Sequence, residues 1–292
     1  MQIIEELYRL TEAFATSGLE YAVCGGLAVA IHGRPRLTVD IDVLVAACRD
    51  RGVRLLLDGV FNHAGRDFPP VTQALAEGPG SGAEDWVSQL YDTGGVITAD
   101  YFEGHDNLIT LNHSSARVQE YVREVMLHWL RRGIDGWRLD AAYAVPASFW
   151  AAVLPAVRAE FPDAWFVGEM IHGDYVDYVK TSGLDSVTEY ELWWAIWSSI
   201  DTINLHELQW TLGRHAKFVE HFRPLTFLSN HDVTRVASQI GDPRHWSHAV
   251  ALLGFLPGIP CVYYGDEFGL EAVKENRPRG DDAVRPEMPT ER

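Results

Sequence analysis

From residue 53 onward the chain alternates short apolar runs with helical patterns, and four of those runs end in an acid. Leu56–His63 reads LLDGVFNH, Gly136–Ala144 reads GWRLDAAYA, Phe166–Ile171 reads FVGEMI and Phe227–Asp232 reads FLSNHD. The acids are Asp58, Asp140, Glu169 and Asp232. Strand–helix alternation predicts a parallel sheet with helices packed outside it. Acids at the ends of parallel strands match a (β/α)-barrel enzyme, whose chemistry sits at the C-terminal face of the strands.

The individual elements follow from periodicity. Val53–Val60 is a continuous apolar run suited to a buried parallel strand. A polar stretch follows from Ala64 to about Asn107, with Pro69-Pro70 and Gly78-Pro79-Gly80, and reads as an excursion over the barrel mouth. Val118, Val122, Val125, Met126 and Trp129 share one face of a helix predicted over Ala116–Arg132, with Gly133 as its cap. Strand Gly136–Asp140 then leads to helix Ala147–Glu160, which contains Pro155. Strands Trp165–Met170, Ser186–Glu191, Leu225–Ser229 and Pro260–Tyr264 alternate with helices Tyr175–Thr181, Leu205–Phe222 and His245–Phe255. The tail from Ala272 shows no helical face and is expected to be loop.

The first 45 residues follow a different logic. Ile3, Leu7, Leu10 and Phe14 form one helical face, Glu20–Cys24 reads as a short strand, and Gly25–Gly26 opens a helix ending near Gly33. Leu37, Val39, Ile41 and Val43 then alternate with Thr38, Asp40 and Asp42, as in a strand. Yet Ile41, Leu44, Val45 and Cys48 keep helical spacing, so residues 41–45 belong to two patterns at once. Such inconsistency marks a seam between two ancestries.

Composition narrows the partners. The net charge of −17 and pI of about 5.0, without a basic patch, exclude nucleic acid as a main partner. The longest apolar stretch, Ala249–Tyr264, is broken by Gly254, Pro257, Gly258 and Pro260, which argues against a membrane span. Three scattered cysteines, Cys24, Cys48 and Cys261, support neither a disulfide framework nor a zinc site. A soluble cytoplasmic setting is the expectation. Ten Trp and eleven Tyr serve both core packing and stacking on sugar rings.

The acids differ in their surroundings. Arg138 lies two residues before Asp140, on the same side of a strand. A guanidinium there favours and orients an ionised carboxylate, as a covalent nucleophile requires. Glu169 is flanked by Phe166, Val167, Met170 and Ile171, an apolar setting expected to raise its pKa and suit it to general-acid work. A pair of carboxyls in opposite environments is what glycoside hydrolysis uses, about 5–5.5 Å apart for retention. Asp232, with Asn230 and His231 before it, is placed to grip sugar hydroxyls and favour positive charge on the ring. Asn62 and His63 are placed to hydrogen-bond the same sugar.

DGVFNH, GWRLD, GEMI and FLSNHD resemble, in order, the four signature segments of the alpha-amylase family, glycoside hydrolase family 13. The resemblance runs from about residue 44 to Pro286 and implies a TIM (β/α)8-type barrel over 44–292, with a short excursion at 64–107. It implies Asp140 as nucleophile, Glu169 as acid/base and Asp232 as transition-state stabiliser. Arg138, His63 and His231 would contact substrate or hold the nucleophile, with Asp58 structural at the site. Asn62 matches a position that is a calcium ligand in some relatives, although no cluster of further acids accompanies it here and no cofactor is required. The implied activity is hydrolysis of, or transglycosylation at, α-glucosidic bonds of α-glucans or oligosaccharides.

Tyr21–Val45, YAVCGGLAVAIHGRPRLTVDIDVLV, resembles instead the start of a nucleotidyltransferase-like protein of the antitoxin-system type. Residues 1–43 thus stand where the family has its first two βα units. Two alternatives follow: a Mg²⁺-dependent nucleotidyltransferase using Asp40 and Asp42, or an inactive chimeric or truncated product. Residues 19–24 and 37–43 could stand in for the first two barrel strands, or the barrel could be incomplete.

Overall fold

A computed structural model of the chain describes residues 22–28, 44–277 and 279–286. The predicted N-terminal helix, the strand over residues 37–43 and the Asp40–Asp42 pair lie outside the described residues. The chain divides into two compact units. One runs to Glu169 and takes in residues 180–184; the other holds residues 170–179 and those from Asp185 onward.

In the first unit, strands Ala22–Ala28, Arg54–Gly59, Gly136–Leu139 and Trp165–Gly168 lie side by side in that order, each pair of neighbours parallel. The apolar run beginning at Val53 is buried from Leu55 to Leu57, as its unbroken hydrophobicity requires. Strand Ala22–Ala28 continues through Gly25 and Gly26, where the sequence suggested that a helix would open. It pairs with Arg54–Gly59 through a shift of register between Cys24 and Ala28. A strand from this segment therefore does stand beside the DGVFNH strand, with helical residues 44–49 between them in the chain.

Helix Ala116–Arg132 has the predicted bounds. Ser115 caps it by accepting the Arg117 N–H at 3.2 Å, and Gly133 closes it at φ 101°. Its buried face, with Val118, Val122, Met126, Trp129 and Leu130, is the one the spacing indicated. Helix Ala147–Glu160 keeps Pro155 within it and buries Phe149, Trp150, Val153 and Leu154. Trp137, Trp150, Phe61, Phe149 and Phe166 are the large, fully buried side chains of this unit's core.

The excursion is more than a loop. Helix Pro69–Glu77 begins with Pro at its first positions and buries Val71 and Ala74. A short 3₁₀ turn, Ala83–Trp86, follows. Leu90–Thr93 and Val96–Ala99 then form an antiparallel hairpin turning at Gly94 and Gly95, both at positive φ, the two-residue turn that matches strand twist. His63–Gly65 pairs antiparallel with Leu108–Thr110 and forms the stem.

The second unit is built from helices Tyr190–Asp201, His206–Val219 and Trp246–Phe255 and the parallel pair Leu225–Phe227 and Ile259–Cys261. Leu192, Ala195, Ile196, Leu228, Val236, Ala249 and Leu253 form its core. The strand expected to reach Glu191 stops at Val187. Leu192, Ala195, Ile196 and Ser199 recur at helical spacing and are buried, so helical packing claims the segment from Tyr190. The tail carries one 3₁₀ turn, Gly280–Val284. Among the described residues the parallel strands trace no closed barrel, and no helix is long and apolar enough to cross a membrane.

Candidate active site

Strand register assembles the acidic cluster of the first unit. Asp58 pairs with Arg138, and Leu139 with Gly168, across neighbouring parallel strands. The ladder continues one step beyond the strands: Asp140 N–H donates to the Gly59 carbonyl at 3.1 Å, and Glu169 N–H to the Leu139 carbonyl at 2.9 Å. Asp140 and Glu169 therefore leave adjacent strands at the same level.

Arg138 sits among the acids. Its Nη1 donates to Asp58 Oδ1 at 2.8 Å, Asp58 Oδ2 at 3.0 Å and Asp140 Oδ1 at 2.7 Å. Its Nη2 lies 2.9 Å from Glu169 Oε1. Burial opposes the guanidinium's charge, but Asp58, Glu169 and Asp140 outweigh it and hold the pKa well above the usual arginine range. Both Asp140 and Glu169 touch one planar guanidinium, so their nearest oxygens lie within about 8 Å of each other, a span that admits the retaining separation of about 5–5.5 Å.

Glu169 is not in the apolar pocket its flanks suggested. Phe166, Val167 and Met170 are buried, but both carboxyl oxygens have polar partners. One oxygen faces Arg138, and the other, Oε2, accepts the Ala141 N–H at 2.9 Å. Ala141 provides that N–H from a left-handed backbone, φ 46°, a conformation that costs a residue with a Cβ about 1–2 kcal/mol. A polar cradle thus replaces the predicted hydrophobic one.

Asn62 and His63 are buried beside this cluster. Asn62 Nδ2 is 3.3 Å from His63 Nδ1. Burial lowers the His63 pKa, against the pull of Asp140 and Glu103. The His63 ring stacks on Phe102, with centroids 4.8 Å apart. Calcium was implied at Asn62, and the described residues do not fit it. Asn62 Oδ1 is a buried oxygen with no hydrogen-bond partner, yet calcium takes six to eight oxygens. No group of three His, Cys, Asp or Glu among the described residues is arranged to hold a metal ion.

The second unit holds Asp232 and His231. Asp232 N–H donates to Asn230 Oδ1 at 2.8 Å, and Asn230 Nδ2 donates to Tyr190 Oη at 2.7 Å. His231 Nε2 is 3.1 Å from Asp232 Oδ2. Arg285, in the tail whose sequence shows no helical face, donates from Nη2 to Asp232 Oδ1 and from Nε to the His231 carbonyl, each at 2.8 Å. Arg235 anchors that tail. Fully buried, it donates from Nε to the Val284 carbonyl at 3.2 Å and from Nη2 to the same carbonyl at 3.1 Å, while Tyr263 lies under its guanidinium. A pocket of about 340 Å³ opens beside Asp232, lined by Trp193, Thr234, Lys274, Glu275 and Asn276.

The alpha-amylase catalytic domain model matches residues 38–289. The chain belongs to the alpha-amylase family. A cyclomaltodextrinase from a Bacillus species is 34% identical, covering 78% of this chain and 43% of its own length. A maltogenic alpha-amylase from Bacillus acidopullulyticus is 31% identical, covering 78% and 40%. Among solved structures, a cyclic alpha-maltosyl-(1→6)-maltose hydrolase from Arthrobacter globiformis superposes with a TM-score of 0.72 at 26% identity, covering 83% of this chain and 58% of that one. A cyclomaltodextrinase structure gives 0.69 at 32% identity, covering 80% and 42%. The chain spans about two fifths of the length of the curated relatives it matches.

The fold class is therefore the α/β TIM barrel of alpha-amylase catalytic domains. The nucleotidyltransferase resemblance gains nothing from these comparisons. The alpha-amylase match begins at residue 38 and so takes in Asp40 and Asp42.

Proposed function

We propose that this chain hydrolyses or transglycosylates α-glucosidic bonds of α-glucans or oligosaccharides by a retaining double displacement. The observation that carries the reading is Arg138, whose guanidinium holds Asp140 and Glu169 from adjacent strands together with Asp58. Glu169 donates a proton to the glycosidic oxygen while an Asp140 oxygen attacks the anomeric carbon. The leaving sugar departs with that proton and a glycosyl ester remains on Asp140. Glu169, now a carboxylate, takes a proton from water or from an acceptor hydroxyl, whose oxygen displaces the ester and restores both groups.

The roles of the other residues follow from charge. The transition state resembles an oxocarbenium ion. With Glu169 carrying the proton it donates, the Asp58 and Asp140 carboxylates exceed Arg138 by one negative charge, which favours a cationic ring. Asp232, partly exposed and fixed by Asn230, His231 and Arg285, is assigned to the same stabilisation through sugar hydroxyls. His63 and His231 are assigned to substrate contact, and Asp58 to holding Arg138. Carbohydrate substrates are further supported by the relatives' names and by a solved relative from Arthrobacter globiformis in complex with maltose. A cytoplasmic setting is proposed alongside, since one relative, from Bacillus subtilis, is an intracellular maltogenic amylase.

The test is release of reducing sugar from maltooligosaccharides by the purified chain, by Asp140→Asn and by Glu169→Gln. The chain is expected to be active. Each variant is expected to lose about a thousandfold in kcat. Equal activity in all three proteins removes the assignment.

A further inference from the structure

The tip of the excursion reaches back to the catalytic strands. Phe102 and Glu103 follow the bridge from Tyr101 to Ile109, so a paired stem holds their backbone. Arg66 Nε donates to the Asp106 carbonyl at 2.7 Å and ties the far side of the tip to the stem's other arm. Glu103 adopts φ 49°, ψ 34°, a left-handed conformation that a glutamate occupies only when its surroundings hold it there. What holds it is a side-chain contact: Tyr143 Oη donates to Glu103 Oε1 at 2.6 Å.

Tyr143 belongs to the catalytic turn. It lies three residues after Asp140, and its backbone N–H donates to the Glu169 carbonyl at 3.2 Å. Its ring centroid is 6.3 Å from that of Phe102, which stacks on His63. Phe102, Glu103 and Tyr143 therefore make one continuous wall from the excursion to the turn between the two catalytic carboxylates. Burial, then the Glu103 carboxylate, push the Tyr143 hydroxyl pKa far up, so it remains a donor at any working pH.

We propose that the Glu103–Tyr143 hydrogen bond is a specificity latch that fixes the excursion against the catalytic turn and limits the bulk of the glucan admitted beside Asp140 and Glu169. The inference rests on the glycosidase reading for its substrates, though not for its geometry. With the latch made, the wall favours slim linear maltooligosaccharides. With it broken, the excursion moves outward, bulkier cyclic or branched glucans gain access, and short linear ones lose a surface to bind. Glu103 acts through the excursion's position and is a positioning residue rather than a catalytic one.

The experiment compares the chain with Glu103→Ala, Tyr143→Phe, the double variant and Glu103→Gln. The readout is the ratio of kcat/KM for β-cyclodextrin to that for maltotriose. Glu103→Ala and Tyr143→Phe should each raise the ratio about tenfold, and the double variant no further, because one bond is lost in all three. Glu103→Gln keeps an acceptor for the tyrosine hydroxyl and should restore the original ratio. A purely structural role would lower melting temperature without moving the ratio. Hydrogen exchange of the amides of residues 101–106 gives a second readout that needs no activity. Faster exchange in Glu103→Ala and Tyr143→Phe, with Glu103→Gln like the parent, supports the latch. Unchanged exchange in the two breaking variants, or an unchanged ratio in an active chain, overturns it. If no chain is active while exchange changes as expected, the glycosidase reading falls and takes the specificity role with it, and only the fixing of the excursion by the bond stands.

Discussion

The carboxylates of the two units are held by different means. Around Arg138 the Asp58 and Glu169 carboxylates are buried, Asp140 is 23% exposed, and strand register delivers all three, because three parallel strands end at matched levels. Around Asp232 the carboxylate is about one-third exposed, and loop contacts hold it: a turn through Asn230, and an arginine from 53 residues further on. Buried charge depends on its partner absolutely, whereas exposed charge is shared with water. The two clusters should therefore fail differently when a cation is removed.

Arg138→Ala is the sharpest way to break that comparison. It leaves Asp58 and Glu169, with side chains only 8% exposed, without their cation. Removing one partner of a buried pair typically costs about 3–5 kcal/mol. Urea unfolding should show a loss of that order, or no folded protein at neutral pH with partial recovery as the carboxyls are protonated. A loss below about 1 kcal/mol would mean that water reaches the cluster freely.

How much of this was legible in the sequence divides along the same line. The acids at strand ends, their order and the Arg138–Asp140 spacing could be read directly, because a strand's period of two fixes which side chains share a face. Helix Ala116–Arg132 could be read from its apolar face and its Gly133 cap. The surroundings of Glu169 could not, since its polar partners come from a neighbouring strand and from the strained turn at Ala141. Nor could Arg285 or Glu103, whose partners lie 53 and 40 residues away in loops with no periodicity. Glycine and proline marked the excursion without showing its elements, in which Pro69 starts a helix and Gly94-Gly95 turns a hairpin. The segment after Val187 misled for a different reason. Its aromatic residues suit strand and helix alike, and burial of Leu192, Ala195 and Ile196 decided for helix.

A second difference between buried and exposed acids appears in pH. Asp266 is buried beside Arg235, and burial raises its pKa from 3.8 to about 6, although Ser229 and Arg235 pull the other way. An acid whose folded pKa is raised stabilises the fold below its unfolded pKa and loses that contribution as pH climbs to the folded value. Stability should thus fall between about pH 4 and pH 6 by on the order of 2–3 kcal/mol from this residue alone. Asp266→Asn should flatten that part of a melting-temperature profile. An identical profile in the variant would show that other groups carry the dependence.

Register itself can be tested without touching a charge. A Cβ on Gly136 would lie 1.9 Å from the Trp165 carbonyl oxygen and 2.8 Å from the Leu56 side chain. Backbone cannot yield as a flexible side chain does, so Gly136→Ala should force the strands apart and cost roughly 1–3 kcal/mol. Gly213 in the second unit meets nothing within 4 Å, so Gly213→Ala should be neutral or slightly stabilising for that helix. Chemical denaturation of both variants measures the contrast. If Gly136→Ala matches the parent, the close approach of strands that aligns Asp58, Arg138 and Glu169 is not needed.

Among the charge removals, the smallest effect on stability is expected at Arg285. Its pair with Asp232 has side chains 39% and 35% exposed, and such pairs contribute between nothing and about 1 kcal/mol. Asp281 also faces the same guanidinium, so removing Arg285 leaves two partly solvated carboxylates rather than a buried one. Arg285→Ala should therefore melt within a few degrees of the parent. Function is a separate matter. Arg285 fixes one Asp232 oxygen and the His231 carbonyl at the same time, and the transition-state role proposed for Asp232 depends on that aim. The expected signature is a fall in kcat on maltooligosaccharides larger than any rise in KM, partly recovered by Arg285→Lys, which keeps the charge but not the two-point geometry. A large loss of stability with unchanged kcat would reverse the contrast, making the exposed cluster structural and leaving Asp232 to orient itself.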